Sequence, residues 1–392
     1  MARRRLGSDH ARRTRSAICR RPSMAAEIDM APLRSGARRR PGKSLPMPPR
    51  QRIGLAALLV VTLVALFASV GAGASSASLW RFLTALLSGQ AQEGVEALRD
   101  RIVIVDIRLP RAVLGLMAGA GLAVSGAVMQ GLFRNPLADP GVVGVSAGAS
   151  FGAVGSIVLG PTLLAPLAYV LGPLLLPVSA FVGGLAVTIL LYVIASRDGE
   201  TQVATLLIAG IAIGALAMAG TGLFVYMAED LQLRDISFWN LGSLAGATWE
   251  KALIATAVIA PSLMVMPFLA RGLNAFTLGE AAAMHMGVPV ERLKKLAIFL
   301  VAAMTGVAVA FCGVIGFVGI IVPHILRLAV GPDHRFLLPG SALLGGVLLI
   351  AADVVSRVIV APAELPIGIL TAIMGAPFFL WILFRGRRGQ IL

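Results

Sequence analysis

Ten apolar runs of near membrane length, divided by short polar breaks, leave this chain few folds to choose from. They lie at approximately 53–73, 110–133, 141–160, 173–195, 203–227, 251–269, 296–313, 315–331, 336–354 and 366–384. About 20 helical residues span a hydrocarbon core of ~30 Å. Inside that core a lipid-exposed backbone must satisfy its own hydrogen bonds, so the runs are expected to be helices. The 296–331 stretch has the least room between its two runs, and a re-entrant segment would fit one of them. With 57% hydrophobic and 14% charged residues and a mean hydropathy of +0.87, the chain cannot present a water-compatible surface. The expected fold class is an all-α polytopic membrane protein with ten transmembrane helices.

The net charge of +15 has to be divided before it means anything. Residues 1–49 carry thirteen Arg and Lys against three acids, and the remainder carries twenty-one against sixteen. A basic arm can grip nucleic acid or anionic lipid, but a solvated, disordered extension over residues 1–49 is the simpler reading. No nucleic-acid partner is expected. The membrane domain is expected over residues 50–392, and Met47, just before Pro48-Pro49-Arg50, reads as an alternative start. Gly42-Lys43-Ser44 imitates a phosphate-binding loop, without the strand and helix that would aim its N–H groups at a phosphate. The apolar run Ile53–Val70 is 18 residues long, beyond the ~7–15 of a signal-peptide core, and is expected to remain as the first crossing.

Basic residues set the orientation. With the first crossing starting inside, the cytoplasmic segments after the arm collect thirteen Arg and Lys and the outer segments eight. By the positive-inside rule both termini are cytoplasmic.

The cysteines, Cys19 and Cys312, and the histidines, His10, His285, His324 and His334, show no metal-ligand spacing. No metal site is expected. An intramembrane enzyme would need paired carboxylates, a metal cluster or a Ser/His dyad at membrane depth, and none is visible, so no catalytic residue is assigned. An ion-coupled transporter would need ionisable groups at the midplane. The runs are nearly free of Asp, Glu and Lys, and Asp353 reads as lying near a helix end.

Three stretches depart from plain apolar sequence. Arg108-Leu-Pro-Arg111 leads into a Gly/Ala-dense run ending at Asn135-Pro-Leu-Ala-Asp-Pro140. Small residues four apart, as in Gly115-x-x-x-Gly119, Gly144-x-x-x-Gly148-x-x-x-Gly152 and Gly210-x-x-x-Gly214, let helices approach closely. Residues 270–295 are polar, with a short helix expected between Gly279 and Gly287: a connector, or a knob for a partner's cleft. Residues 228–250 carry acids, Arg234, Phe238, Trp239 and Trp249 at the outer face.

These strings, with Gly119–Gln130, Gly316-Phe-Val-Gly…Pro-His-Ile-Leu-Arg327, Asp333-His-Arg335 and Glu364-Leu-Pro-Ile-Gly368, resemble the permease subunits of bacterial ABC importers for iron-siderophore, haem and vitamin B12. The resemblance covers residues 53 to 385. It implies a vitamin B12 importer permease-like fold, ten helices per subunit, in the bacterial inner membrane. The implied partners are a second copy of the chain, two ATPase subunits and a periplasmic substrate-binding protein. No cofactor is implied in this chain, since ATP and Mg belong to the ATPase. The binding protein would dock its acids on Arg108, Arg111 and Arg357. Gly279, Glu280, Ala281, Met284, His285, Met286 and Gly287 match the helix that seats in the ATPase. The fifth crossing, through Val203, Ala209, Ile213 and Ala217, would line the path. The family's hydroxyl-bearing gate pair falls near Val203 and Ala204, which have no hydroxyl. Pro323-His324 is read as structural, with Arg327 snorkelling toward the cytosolic interface. Ala204–Ile213, Ala219–Phe224 and Glu229–Arg234 look most like haem importers, which makes haem the expected cargo. Ferric siderophore and cobalamin are the alternatives.

Overall fold

A computed structural model describes residues 46–73, 77–88, 94–197 and 200–386. The basic extension expected over residues 1–49 lies, through residue 45, outside the described residues. The helices are α1 (Pro49–Gly71), α2 (Leu79–Ser88), α3 (Val95–Arg101), α4 (Leu109–Phe133), α5 (Val145–Leu159), α6 (Ala165–Leu171), α7 (Leu175–Ala195) and α8 (Val203–Met227). They continue as α9 (Asp230–Asn240), α10 (Trp249–Phe276), α11 (Glu280–His285), α12 (Val290–Cys312), α13 (Val318–Val330), α14 (His334–Val358) and α15 (Ile367–Gly386). Two short antiparallel strands, β1 (Ser196–Arg197) and β2 (Glu200–Thr201), join α7 to α8.

Among the described residues, seven helices are long and apolar enough to cross a membrane, and three shorter apolar helices complete the set. They follow the ten expected runs in order. Each crossing reverses the last, so the bundle has a near end, where α1 begins, and a far end. The least certain stretch resolves into α12 and α13 joined by a tight turn, with Gly313 and Phe317 both at positive φ. At 1.5 Å per residue, the 13 residues of α13 reach only about 20 Å.

Helix ends carry much of the correction to the expected boundaries. α10 runs on to Phe276 and α12 starts at Val290. Half of the polar segment 270–295 is therefore two helix ends, with Lys294 inside α12 rather than in a loop. The segments at the far end also hold more structure than expected. α9 is fixed by a capping box in which Glu229 and Gln232 bond reciprocally. α3 passes through a π-helical stretch, Ile102–Arg108, straight into α4. Such stretches often mark functional positions.

α4 is the axis of the bundle. Of the 25 residues of α4, 20 are buried, against three of the 25 in α8. α4 packs against α10, α12, α13 and α14, while α5 packs against α7 and α8. The contacts are made backbone to backbone. A Cβ added at Gly119 would meet the Gly345 carbonyl, and one at Gly126 would meet that of Gly319. Glycine pairs allow this approach where lipid supplies no hydrophobic drive between helices.

Candidate functional site

At the far end three arginines converge. The Arg111 Nε donates to Asp353 Oδ1 at 2.7 Å, and its two Nη groups donate to the two Glu364 oxygens at 2.9 Å each. This is the bidentate fork that guanidinium and carboxylate planes favour. Arg357 Nε lies 3.1 Å from the other Asp353 oxygen, at ion-pair distance without good hydrogen-bond alignment. The rest of Arg357 reaches back to α1 and the turn after it, donating to Ala72 O at 2.9 Å and Ser69 O at 3.2 Å. Arg108 donates to the Val70 and Gly71 carbonyls, the last of α1.

All three arginines are at most 6% exposed and Asp353 is 1% exposed. The family resemblance implied these three arginines as docking groups for a binding protein. The structure does bring them together, but turns them inward, onto Asp353, Glu364 and the end of α1. Asp353, read from sequence as lying near a helix end, is the buried centre of the cluster. A lone carboxylate in an apolar helix, with Arg357 one turn on, was the signal for it. Glu364 is the accessible member, its side chain about a third exposed.

At the near end the short helix falls where expected, as α11. Gly279 and Gly287 bound it at φ +107 and +82, in the left-handed region that glycine alone enters freely. Ala283 is fully buried and anchors it, while Ala281, Met284, His285, Met286 and Gly287 face outward. A groove of about 510 Å³ runs alongside, lined by Glu280, Met284, Gly287–Arg292. The first residue of α11, Glu280, pairs with Lys294 of α12. Lys294, counted from sequence among the cytoplasmic loop charges, is only 1% exposed.

A clamp beside it joins α10 to α14. Asn274 donates to Asp333 at 2.7 Å and accepts from the His334 N–H at 2.9 Å. Asp333 also caps α14 and accepts from the Arg335 guanidinium. Burial raises the Asp333 carboxyl, but the Arg335 and Asn274 hydrogen bonds outweigh it and hold the carboxyl down at about 2. A depressed folded-state value contributes stability above the usual ~3.9. That contribution is lost only as the pH falls through about 2, so the clamp is insensitive to physiological pH.

α8, the expected path helix, is open over most of its surface. Leu206, Gly210 and Ala217 are buried, and Ala209 and Ile213 pack on the core of the same chain. Of the residues expected to line a path, Ala217 is therefore buried within this chain, and Ala209 and Ile213 are half-buried against it. The stripe left open runs through Ile208, Ile211, Ala212, Ala215, Leu216 and Ala219. From Val203 to Phe224 every position on α8 is small or apolar, so the sequence held no signal there for which face turns outward.

Arg327, expected to snorkel, is half-buried and has a partner within the bundle. It donates to Gln130, whose amide donates to the Gly319 carbonyl at 3.0 Å, closing α4 onto α13. His324 is buried edge-on to Phe378, ring centroids 5.8 Å apart. Among the described residues no group of three His, Cys, Asp or Glu is placed to hold a metal.

The architecture and its strings have counterparts in known proteins. A family model described as the FecCD transport family matches residues 60–385. The hemin transport system permease protein HmuU of Yersinia pestis is 43% identical over 342 residues, covering 86% of this chain and 97% of that protein. The cobalamin import system permease protein BtuC of Halobacterium salinarum is 44% identical over 304 residues, 78% of this chain and 79% of that protein. A solved inward-facing structure assigned to the metal-chelate type of ABC transporter superposes with a TM-score of 0.72 at 31% identity, covering 84% of this chain and 98% of that one. The ten-crossing bundle, the glycine-packed axis and these matches agree: the chain belongs to the FecCD transport family, as the non-catalytic, multi-pass permease subunit of an ABC importer.

Proposed function

We propose that this permease imports haem, received from a periplasmic binding protein and passed to the cytoplasm by a homodimer driven by two ATPase subunits. The observation that carries the cargo is the match to a hemin permease along 97% of its length. The open stripe of α8 supports it. Its Ala and Ile side chains offer a broad, largely apolar cargo no polar group that would retain it. A cobalamin permease of similar identity (44%), matched over 79% of its length, makes cobalamin the second reading. In this proposal ATP and Mg are bound by the partner ATPase and this chain holds no cofactor of its own. ATP-driven uptake into proteoliposomes containing permease, ATPase and cognate binding protein is expected to accumulate haem. Accumulation of cobalamin or a ferric siderophore instead would overturn the cargo and leave the importer in place.

In the same reading the near end is cytoplasmic, together with both termini, in a bacterial inner membrane. A cysteine placed at Gln232 on α9 should react with an impermeant maleimide in intact cells, and one at Gln390 should not. Labelling at Gln390 would invert the assignment. The far-end arginines then serve the docking of the binding protein. Glu364, the accessible occupant of the Arg111 fork, is the group that an incoming acid meets and displaces. The exposed face of α11 seats in the ATPase, with Met284 and Met286, each just over half exposed, as its apolar contacts.

A further inference from the structure

The near end holds a buried ammonium group whose three partners come from three different elements. Lys294 Nζ donates to Glu280 of α11, to Glu291 of its own helix at 2.9 Å, and to the main-chain carbonyl of Thr201 at 2.9 Å. Glu291 completes the knot by accepting from the Thr201 N–H at 3.1 Å. An ammonium group has three donors, and here all three are used. Thr201 ends the β1–β2 hairpin and is 3% exposed. Its hydroxyl pairs with Ser196 at 3.0 Å, and the N–H of the next residue, Gln202, donates to Ala195 O at 2.9 Å. One residue further, α8 begins.

A short chain of charge-assisted bonds therefore runs from the first residue of α11, through Lys294, to the foot of α8. Along the rest of its length α8 is the most open of the long helices in this chain, with only Leu206, Gly210 and Ala217 buried. α12, by contrast, is 72% buried and gives the knot a fixed seat. A helix that is open along its length within its own chain and tied at its foot responds to where that foot is placed.

We propose that Lys294 is the positioning residue of the transport cycle, converting displacement of α11 by the ATPase into displacement of the base of the path-lining helix α8. The proposal rests on the reading of α11 as the ATPase contact and α8 as the path. It requires a physical element between the two sites that both can bias, and the Glu280–Lys294–Thr201 connection is that element. A direct bond also explains why a charge is retained at 1% exposure, where an apolar side chain would cost less desolvation.

The experiment uses the complete importer in proteoliposomes, measuring cargo accumulated per ATP hydrolysed for Lys294→Met, Glu280→Gln and Gly287→Trp. Methionine keeps the length and apolar stem of Lys294. Glu280 and Glu291 are 38% and 30% exposed at their side chains, so neither carboxylate is left buried without solvent. For Lys294→Met, cargo per ATP is expected to fall about tenfold, within the usual range of coupling between distant sites. ATP turnover should stay within about twofold, because the ATPase interface is untouched. Glu280→Gln should fall in the same direction by less, since a neutral hydrogen bond replaces a charged one. A second readout separates coupling from mere bracing. Spin labels at Ala204 and Ala281, both exposed, should show a correlated distance shift on ATP addition that Lys294→Met abolishes.

Normal cargo per ATP in Lys294→Met, with Gly287→Trp uncoupled, would overturn the role of Lys294 and leave the α11 reading standing. Normal coupling in Gly287→Trp would overturn the α11 reading itself, and the role of Lys294 with it. Should Lys294→Met fail to insert, Glu280→Gln decides: an unchanged ratio and an unchanged label shift overturn the proposal.

Discussion

Asp353→Ala is expected to destabilise the permease by about 3–5 kcal/mol, the usual cost of removing one partner from a buried ion pair. The reason lies in what remains. Arg111 and Arg357, 5% and 6% exposed, would keep their charges with no acid between them, and only Arg111 would retain a carboxylate, Glu364. Thermal unfolding in detergent micelles, together with the fraction inserted in the membrane, measures the effect. An unchanged melting temperature would show that the cluster does not hold the far end together. Glu364→Gln should cost much less, about 1 kcal/mol or under, because Glu364 is partly solvated. That contrast affects how docking is probed. Arg111→Glu would set a third carboxylate beside Asp353 and Glu364, so lost binding of the binding protein could reflect lost structure. Glu364→Gln weakens the internal occupant of the fork without emptying the buried centre. It should raise affinity for the binding protein a few-fold if that protein's acid competes for Arg111; a fall in affinity would exclude displacement.

The second large effect comes from a single methyl group. Gly126→Ala places a Cβ inside the space of the Gly319 main-chain carbonyl, where no rotamer change can give way. Overpacking costs typically about 1–3 kcal/mol; against backbone the upper end is expected, as α4 and α13 must separate. The Gln130–Gly319 bond that closes the same contact would be lost with it. Uptake in proteoliposomes should fall by more than about tenfold, and the melting temperature should fall in parallel. Gly71→Ala is the control, since its added Cβ would meet only the Leu79 side chain at 3.5 Å, ordinary van der Waals distance. Equal behaviour of the two variants would remove the close contact as the cause.

The ten crossings were legible because each is written locally. A run such as 203–227 is apolar throughout, and any backbone in lipid must bond to itself, so α8 follows without knowledge of its neighbours. α11 was legible for the same kind of reason. Gly279 and Gly287 mark the ends of a short stretch by their freedom at positive φ, and the polar residues around it break the apolar pattern. Boundaries were harder. α12 extends six residues before the expected 296, because Glu291 and Lys294 read as loop charges until partners are found for them.

Direction, partner and phase belong to the tertiary structure. Arg108, Arg111 and Arg357 were grouped by the family resemblance, but whether a guanidinium faces water or a carboxylate depends on an acid some 240 residues away, as Arg111 and Asp353 show. Lys294 and Thr201 meet across 93 residues, and no periodicity records that encounter. On α8 the sequence holds too little information to say which face packs on its own chain: where both faces are small or apolar, rotation about the helix axis changes nothing in the pattern. By itself the sequence determined that this chain crosses the membrane ten times as helices with small-residue faces, because hydrocarbon imposes that on every residue separately. Only the tertiary structure decided which charges are buried, what each one holds, and which side of α8 is left open, because those depend on pairs of residues that the chain brings together only when folded.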